Sequence, residues 1–270
     1  MLTLTSAVVS RYRRAVIRAH RVRNRAGALR FINTLGFCYA FTSGPGGLPG
    51  LFDVLATRSI DRMWSWAWQW KDTLASARRV HYGKVIRRKP SYISLAMLPA
   101  FYALSGNLGE PDDHLQAYQE GRLSALSKTL YEQILTAGPV STWTLRRQFV
   151  QRGQSGAQFH RALDDLQERF LVAKVGEEEE WRYGFVWDAF HRWMPEVVRA
   201  ATKLTGEAAA AIVLRRYVEI VGAAGLTDIG ATFGWTPRPI QAAAAMAGLE
   251  PALIDGRELL TISDRWEGRS

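Results

Sequence analysis

Hydrophobic positions near the start of the chain recur at steps of three and four residues, the spacing of one helical face. This stripe runs from Val9 to Leu29 and predicts a single helix across the segment. Arginines recur at the same steps along another face, at Arg11, Arg14, Arg18, Arg21 and Arg25. Because none of them has an acidic partner four residues away, they repel one another and gain no pair energy. A phosphate backbone would relieve that repulsion, so the pattern favours nucleic-acid contact along this face.

Four tryptophans alternate with other residues between positions 64 and 70. Strict alternation is typical of a strand, whereas Ser59, just before the first apolar position, provides a helix N-cap. We favour a helix, with Trp64 and Trp68 inside and Trp66 and Trp70 on the opposite side. Core packing is the expected role of most of these rings, and exposed ones are candidates for stacking on bases.

Residues 80–86 and 91–95 have the pattern of two strands. They flank Arg87-Arg88-Lys89-Pro90, which predicts a hairpin with a basic tip. A polar, turn-rich stretch follows from Gly106 to Asp113. It indicates a domain boundary between about 105 and 122.

The rest of the chain shows one pattern twice. Helical spacing predicts three helices and then a hairpin over residues 125–190, and the same order returns over 208–264. The first hairpin turns at an acidic segment, Glu177 to Glu180, and the second turns at Asp255-Gly256, a strong two-residue turn signal. Three helices followed by a hairpin is the order of a winged helix, a variant of the helix-turn-helix.

The predicted fold class is therefore mainly α with small β-hairpins, an α+β protein of tandem winged-helix modules. We expect a basic N-terminal domain over 1–120, containing the arginine-rich helix, a divergent winged helix and the basic hairpin. Winged-helix modules are expected over 125–195 and 208–266.

Charge is distributed unevenly along the 270 residues. The chain has 35 Lys and Arg against 25 Asp and Glu, and residues 1–90 hold 17 of these cations against three aspartates. A basic surface of this size favours a polyanion, nucleic acid before a membrane surface, and no apolar run approaches the length of a membrane span. The single cysteine, Cys38, excludes an internal disulfide and fits a reducing compartment, so we expect a cytoplasmic, nucleoid-associated protein.

Phosphate contact is assigned mainly to cations of the basic N-terminal segment, residues 1–90. The candidate DNA-binding residues are Arg11, Arg14, Arg18, Arg21, Arg25, Arg78, Arg79, Lys84, Arg87, Arg88, Lys89, Gln158, Arg161 and Arg238. If six to eight cations neutralise phosphates, the log–log slope of affinity against salt is about −5 to −7. The base-stacking candidates are Tyr39, Trp66 and Trp70.

The two rear modules are poorly charged for DNA. Acidic residues follow Gln158 and Arg161 in the same predicted helix, and the turn at Glu177–Glu180 would repel a phosphate backbone. We therefore interpret these modules as mostly scaffold. The acidic turn is a candidate contact for a protein partner.

Short motifs through most of the chain resemble the winged-helix family of the crosslink-repair DNA glycosylases AlkZ and YcaQ. The residues that carry the resemblance are Leu35-Gly36, Trp70 to Leu74, Gly138 to Thr142, Phe159 to Gln167, Val186 to Asp188, Arg192 to Pro195, Leu214 to Tyr217, Gly225 to Ile229, Phe233 to Trp235 and Ile254 to Arg257. The resemblance implies three winged-helix modules around a DNA-binding concavity. It also implies a Gln-x-Gln or Gln-x-Asp motif after the Leu-Gly pair, where these residues position a water for hydrolysis of the glycosidic bond.

That motif is absent from this sequence. Leu35-Gly36 is followed by residues 37–41, Phe-Cys-Tyr-Ala-Phe, which supply no carboxamide or carboxylate acceptor. Either the chemistry has moved to other residues, or the protein binds DNA without excising a base. Asp72, beside Lys71, is the candidate for a displaced general base, and a structural ion pair is the alternative role for it.

The leading hypothesis is a glycosylase-like DNA-binding protein that recognises damaged or non-standard DNA through its basic N-terminal half. One alternative is an active glycosylase that excises alkylated or crosslinked bases with Asp72. A second is a transcription regulator that uses the middle module. No cofactor or metal is expected, because the sequence has neither a P-loop ending nor metal-ligand spacing.

Overall fold

A strand and a helix at the N-terminus pack far from the residues that follow them in sequence. The computed structural model describes residues 2–151, 153, 155–178 and 183–266. Strand β1 (Leu2–Leu4) and helix α1 (Ser6–Arg18) come first, and β1 pairs in parallel with a strand near residue 252. The predicted helix from Val9 to Leu29 is therefore wrong as a single element. Helix α1 ends at Arg18 with Ala19 as its C-cap, and a second helix begins at Arg25 after an Asn24 N-cap.

The first of three units follows α1 in the chain. Its elements are α2 (Arg25–Leu35), β2 (Phe37–Tyr39), two short 3-10 helices (Pro45–Gly47 and Leu51–Val54), α3 (Ile60–Ser76), β3 (Val80–Ile86) and β4 (Lys89–Ser94). Strand β2 pairs with β4, which pairs with β3. The basic hairpin is thus confirmed, but its turn is shorter than predicted: it contains Arg87 and Arg88, both at positive φ, whereas Lys89 and Pro90 belong to β4.

Two connecting helices, α4 (Leu98–Ser105) and α5 (Asp113–Gln119), lead to the middle unit. Its elements are α6 (Ala125–Ala137), β5 (Val140–Ser141), α7 (Thr142–Gln151), α8 (Gly156–Glu168), β6 (Val172–Glu178) and β7 (Gly184–Ala189). Strand β5 pairs with β7, which pairs with β6, so the sheet order repeats that of the first unit.

Helices α9 (Phe190–Trp193) and α10 (Pro195–Ala201) connect to the third unit. Its elements are α11 (Gly206–Val221), β8 (Ala223–Ala224), α12 (Leu226–Phe233), α13 (Pro237–Met246), β9 (Glu250–Ile254) and β10 (Arg257–Thr261), followed by a 3-10 turn at Ser263–Arg265. Strand β8 pairs with β10, which pairs with β9, and β1 extends this sheet beyond β9. The predicted fold class, mainly α with small sheets, is confirmed.

The hydrophobic core is divided unevenly among the three units. One large apolar cluster joins the first and third units, for example through Phe37, whose ring lies 5.1 Å from Phe101 and 6.0 Å from Phe233. The middle unit encloses a separate cluster around Leu130, Phe159 and neighbouring side chains. The predicted boundaries of 1–120, 125–195 and 208–266 stay predictions. Residues 2–18, however, pack largely on the third unit rather than with the rest of the 1–120 segment.

Arg13 fastens α1 to the third unit. Its guanidinium donates hydrogen bonds to the carbonyl oxygens of Val221 and Ala223, both at 2.8 Å, where α11 ends. A helix C-terminus leaves carbonyls without intrahelical partners, and a cation there also complements the helix dipole. This contact explains why Arg13 does not belong to the exposed arginine face.

We expect Arg13→Met to lower the free energy of unfolding by about 2 kcal/mol, because two charge-assisted hydrogen bonds are lost. Arg11→Met, on the same helix but exposed, is the matched control and should change the value by less than about 0.5 kcal/mol. Urea denaturation of both variants measures the difference. Equal effects in the two variants would contradict this role.

Candidate functional site

The arginines predicted from the N-terminal pattern are all exposed. Arg11, Arg14 and Arg18 lie on α1, Arg21 lies in the connection, and Arg25 begins α2. None of these five forms an ion pair with a carboxylate in the described part of the chain. Because the helix is interrupted at residues 19–24, these arginines follow two helix directions rather than one straight stripe.

Two of these arginines meet a third that the sequence did not single out. Arg18, Arg21 and Arg58 line one groove of about 440 Å³, together with His20 and Asp53. A parallel bridge between Val22 and Leu55 brings the two stretches together. Since that pairing joins positions about thirty residues apart, no local pattern indicates it. We call this site the arginine groove.

The basic hairpin is partly neutralised by the middle unit. Lys84 Nζ lies 2.8 Å from a carboxylate oxygen of Asp164, and Arg88 Nε lies 2.9 Å from Glu168 Oε2. Both acids are on α8, which packs against β3. The expectation that Lys84 and Arg88 are available for phosphate therefore needs correction. Two acids of the helix that the sequence marks as poorly charged for DNA are thus partners for the hairpin.

The two outer residues of the hairpin tip have different surroundings. Arg87 lies close to Gly234 of the third unit, and the Lys89 ammonium lies 5.7 Å from the centre of the Tyr39 ring. Both remain exposed and have no described carboxylate partner.

The middle-unit candidates Gln158 and Arg161 line a second groove, of about 490 Å³, with Arg88 and Arg122. Gln158 also serves the helix itself, because its Oε1 accepts a hydrogen bond from the Ser155 N–H at 2.8 Å. This reciprocal capping at the start of α8 occupies the amide oxygen that base recognition would use.

The remaining cations are dispersed. Arg78 and Arg79 are exposed where α3 gives way to β3, and the Arg78 guanidinium stacks 4.0 Å from the Trp193 ring centre. Arg238 begins α13 in a separate pocket of about 450 Å³ that it shares with Glu207 and Trp235. The structure therefore does not bring Arg238 together with the arginine groove.

The predicted stacking residues are not the exposed ones. Tyr39 and Trp70 are buried, and Trp66 is half-buried and stacks on Trp70 at 5.3 Å. Trp64 and Trp68 are instead 47% and 44% exposed. The helix predicted for α3 is confirmed, but the assignment of its two faces is wrong. Four tryptophans in alternation give both faces equal hydrophobicity, so periodicity could not separate them.

Strand β2, where the family resemblance places catalytic side chains, is closed by packing. Phe37, Cys38 and Tyr39 are each at most 2% exposed. Burial raises the pKa of the Cys38 thiol and raises the pKa of Tyr39 to about 12. Neither group ionises near neutral pH, and the strand offers no exposed side chain to polarise a water.

Asp72 lies at the centre of a cluster of charges between α3 and the middle unit. Its Oδ1 accepts hydrogen bonds from Lys71 Nζ at 2.7 Å and from Lys174 Nζ at 2.9 Å. The Tyr183 hydroxyl donates to both carboxylate oxygens at 2.8 Å and itself accepts from Lys71. Glu177 completes the cluster by accepting from Lys174.

Burial and pairing set the charge states of this cluster. The side chains of Lys71 and Lys174 are almost fully buried, and burial lowers the pKa of Lys71 to about 8. Burial alone would raise the pKa of Asp72, but the hydrogen bonds from the two lysines outweigh it and the pKa is lowered. Asp72 is therefore a stable anion with three donors already on its oxygens, which is an unfavourable state for a general base.

The predicted acidic turn lies only partly within the described residues. Glu177 belongs to the Asp72 cluster, and Glu178 ends strand β6. Glu179 and Glu180 lie outside the described residues, so the protein-partner prediction for this turn stays a prediction. Within the described ranges, no group of three or more His, Cys, Asp or Glu side chains is placed to hold a metal ion. Among the described helices, none is long and apolar enough to cross a membrane.

Three units with one sheet order and a basic N-terminal segment define a mainly α fold of a kind already known in solved structures. The structure matches the Streptomyces sahachiroi DNA glycosylase AlkZ with a TM-score of 0.61, at 12% sequence identity, over 98% of this chain and 72% of the other. The model of the AlkZ-related family matches residues 22–234. The protein therefore belongs to the AlkZ-related family. No curated protein matches the chain.

We expect Asp72→Asn to lower the free energy of unfolding at pH 7 by about 3 kcal/mol, because two buried ammonium groups lose their shared anion. Since the pKa of Asp72 is depressed in the folded state, this stabilisation is present above about pH 4. It is lost as the pH falls through the lowered value. Chemical denaturation of wild type and variant between pH 3 and 7 measures how their difference in free energy of unfolding decreases as the pH falls.

Asp61→Asn is the matched control, since Asp61 is an exposed aspartate in the first turn of the same helix. Its effect should stay near the few tenths of a kcal/mol of a helix-dipole contact. A cost for Asp72→Asn as small as that of Asp61→Asn would show that the cluster does not hold the units together.

Proposed function

We propose that this protein binds DNA through the exposed cations of its basic N-terminal segment, and that it recognises damaged or non-standard DNA without hydrolysing a glycosidic bond. The observation that carries the proposal is the arginine groove, which is lined by Arg18, Arg21 and Arg58, none of them ion-paired to a described carboxylate. Guanidinium groups suit phosphate oxygens. Membership of the AlkZ-related family, together with the fold of a DNA glycosylase, supports DNA as the partner.

The contrast with the rest of the molecule strengthens this interpretation. Beyond residue 120, many exposed or half-buried arginines have internal partners: Arg122 with Glu120, Arg169 with Asp165, Arg192 with Asp188, and Arg215 and Arg216 with Glu219. An arginine paired in this way must give up its partner before it binds phosphate. The basic N-terminal segment keeps most of its cations free of that cost.

We further propose that the three units are winged-helix modules, with the N-terminal strand and α1 added to the third. The sheet order is the same in each, and a helix precedes each hairpin at the position of a recognition helix. In the middle module this helix is α8, whose acids bind the basic hairpin. That internal use weighs against the transcription-regulator alternative, in which Gln158 and Arg161 read bases.

Two side chains of β2 and the contacts of Asp72 support the proposal that no glycosidic bond is hydrolysed. Phe37 and Tyr39 are buried aromatics where the family resemblance implies polar residues that hold water. The Asp72 oxygens already accept from Lys71, Lys174 and Tyr183. These contacts favour a structural role over that of a displaced base.

Binding to a short duplex should weaken steeply with salt, and Arg18→Glu with Arg21→Glu should weaken it at least about tenfold at 0.1 M salt. The log–log slope should also fall by about 2, since each lost phosphate contact removes about 0.9. Fluorescence anisotropy over a salt series measures both quantities. The control is Arg199→Glu with Lys203→Glu, which makes the same charge change at exposed positions near α10. Equal losses of affinity in the two double variants would show that net charge alone causes the effect. That result would overturn the assignment of the arginine groove as the DNA-binding site.

Incubation with duplexes that carry alkylated or crosslinked bases should yield no abasic product above the rate without protein. Alkaline cleavage of the strand followed by gel electrophoresis detects such a product. An abasic product that disappears in Asp72→Asn would instead establish the glycosylase alternative.

A further inference from the structure

A cavity of about 470 Å³ lies between the basic hairpin of the first unit and the middle unit. Its lining includes five large aromatic side chains, those of Tyr82, Trp143, Tyr183, Phe185 and Trp187. Pockets that bind small organic groups have volumes of about 300 to 1,000 Å³ and apolar, aromatic linings. The cavity therefore has the size and lining for one planar heterocycle.

Much of the polar lining is already hydrogen-bonded within the wall. Gln167 accepts from the Lys84 N–H and donates to the Leu163 carbonyl. Trp187 donates to the Thr142 hydroxyl at 2.9 Å, and Lys84 pairs with Asp164. What the wall offers to a ligand is therefore mainly ring faces, which favours stacking over recognition of a hydrogen-bonding edge.

Positive charge accompanies these rings. Arg146 lines the cavity from α7, is half-buried, and has no ion pair with a carboxylate of the described chain. His160 lines the same cavity from α8 and is exposed. Ring faces beside a guanidinium complement a nucleotide, which carries a flat base and a phosphate on one short scaffold.

A line of aromatic side chains joins this cavity to the arginine groove. Tyr183 lines the cavity, and its ring centre lies 5.2 Å from that of Trp68. Trp68 and Trp64 are four residues apart and share one exposed face of α3. Trp64 contacts Phe52 at 5.0 Å, just before the segment that carries Arg58. Aromatic rings that lead to a basic groove are typical of surfaces that follow an unpaired strand.

We propose that this cavity binds an unpaired nucleobase of a DNA strand by stacking, with Arg146 contacting the adjoining phosphate. The inference rests on the proposed function and names the substrate class for it: DNA with an extruded or unpaired nucleotide. Because recognition is through ring faces, the cavity tolerates different bases and discriminates unpaired from paired ones. The Asp72 cluster contributes by fixing the Tyr183 ring, through the bifurcated hydrogen bond that its hydroxyl donates to the two carboxylate oxygens.

The test uses the full chain and two duplexes of one sequence, one fully paired and one with a single bulged 2-aminopurine nucleotide. The wild-type protein should bind the bulged duplex about tenfold more tightly, because one stacked base contributes about 1 to 3 kcal/mol. Stacking should also quench the emission of the 2-aminopurine. Arg146→Met and Trp143→Leu should each bring the affinity ratio close to one, while binding of the paired duplex is retained.

Two controls separate stacking from general damage. Trp143→Phe keeps an aromatic face and should keep most of the preference that Trp143→Leu loses. Arg147→Met removes an equal charge from the next position, which is exposed and does not line the cavity, and should keep the full preference. If Trp143→Leu does not fold, the pair Arg146→Met and Arg147→Met decides alone.

Equal wild-type binding of the two duplexes overturns the inference and leaves the proposed function intact. A preference that survives Arg146→Met, or that Arg147→Met reduces equally, overturns it as well. Failure to bind the paired duplex at low salt overturns the proposed function, and this inference with it.

Discussion

The carboxylate of Asp72 is the contact on which the arrangement of the first two units depends. It lies between Lys71 of α3 and Lys174 of β6, both almost fully buried. Two ammonium groups in that position would repel each other strongly without a shared anion, because burial removes the screening of water. With the anion present, β6 packs against α3 and the basic hairpin packs against α8. The aromatic cavity is the space that this packing leaves between the two units.

The same unit contact divides the basic residues into two groups. Lys71, Lys84 and Arg88 are bound to acids and hold the units together. Arg11 and Arg14 of α1, and Arg18, Arg21 and Arg58 of the arginine groove, have no such partner in the described chain and stay exposed. The number of positive charges in the sequence therefore overestimates the charge that is available to a polyanion. Whether a cation is available depends on its position relative to the acids of the middle unit.

Local signals predicted most elements, and contacts between distant positions account for the errors. The Ser59 cap, the Asp255-Gly256 turn and the basic hairpin are set by neighbouring residues, and all three lie where the sequence predicted. The exposed face of α3 depends on Phe41, Phe52 and Tyr183, which come from other parts of the chain. Likewise, Arg58 joins Arg21 only through a bridge from Val22 to Leu55. The spacing of residues along the sequence does not predict these contacts.

Strand β2 has buried aromatic side chains at positions where the family resemblance implies polar ones. Phe37 packs on Phe101 and Phe233, so this strand is part of the joint between the first and third units. A residue that must hold water there would keep the joint hydrated. The rings of Phe37 and Tyr39 exclude water instead, and buried apolar area stabilises a fold by about 25 cal/mol per Å². Sites of chemistry commonly reduce stability for this reason. The dry, aromatic packing of β2 thus agrees with the proposal that the protein binds DNA without hydrolysing a glycosidic bond.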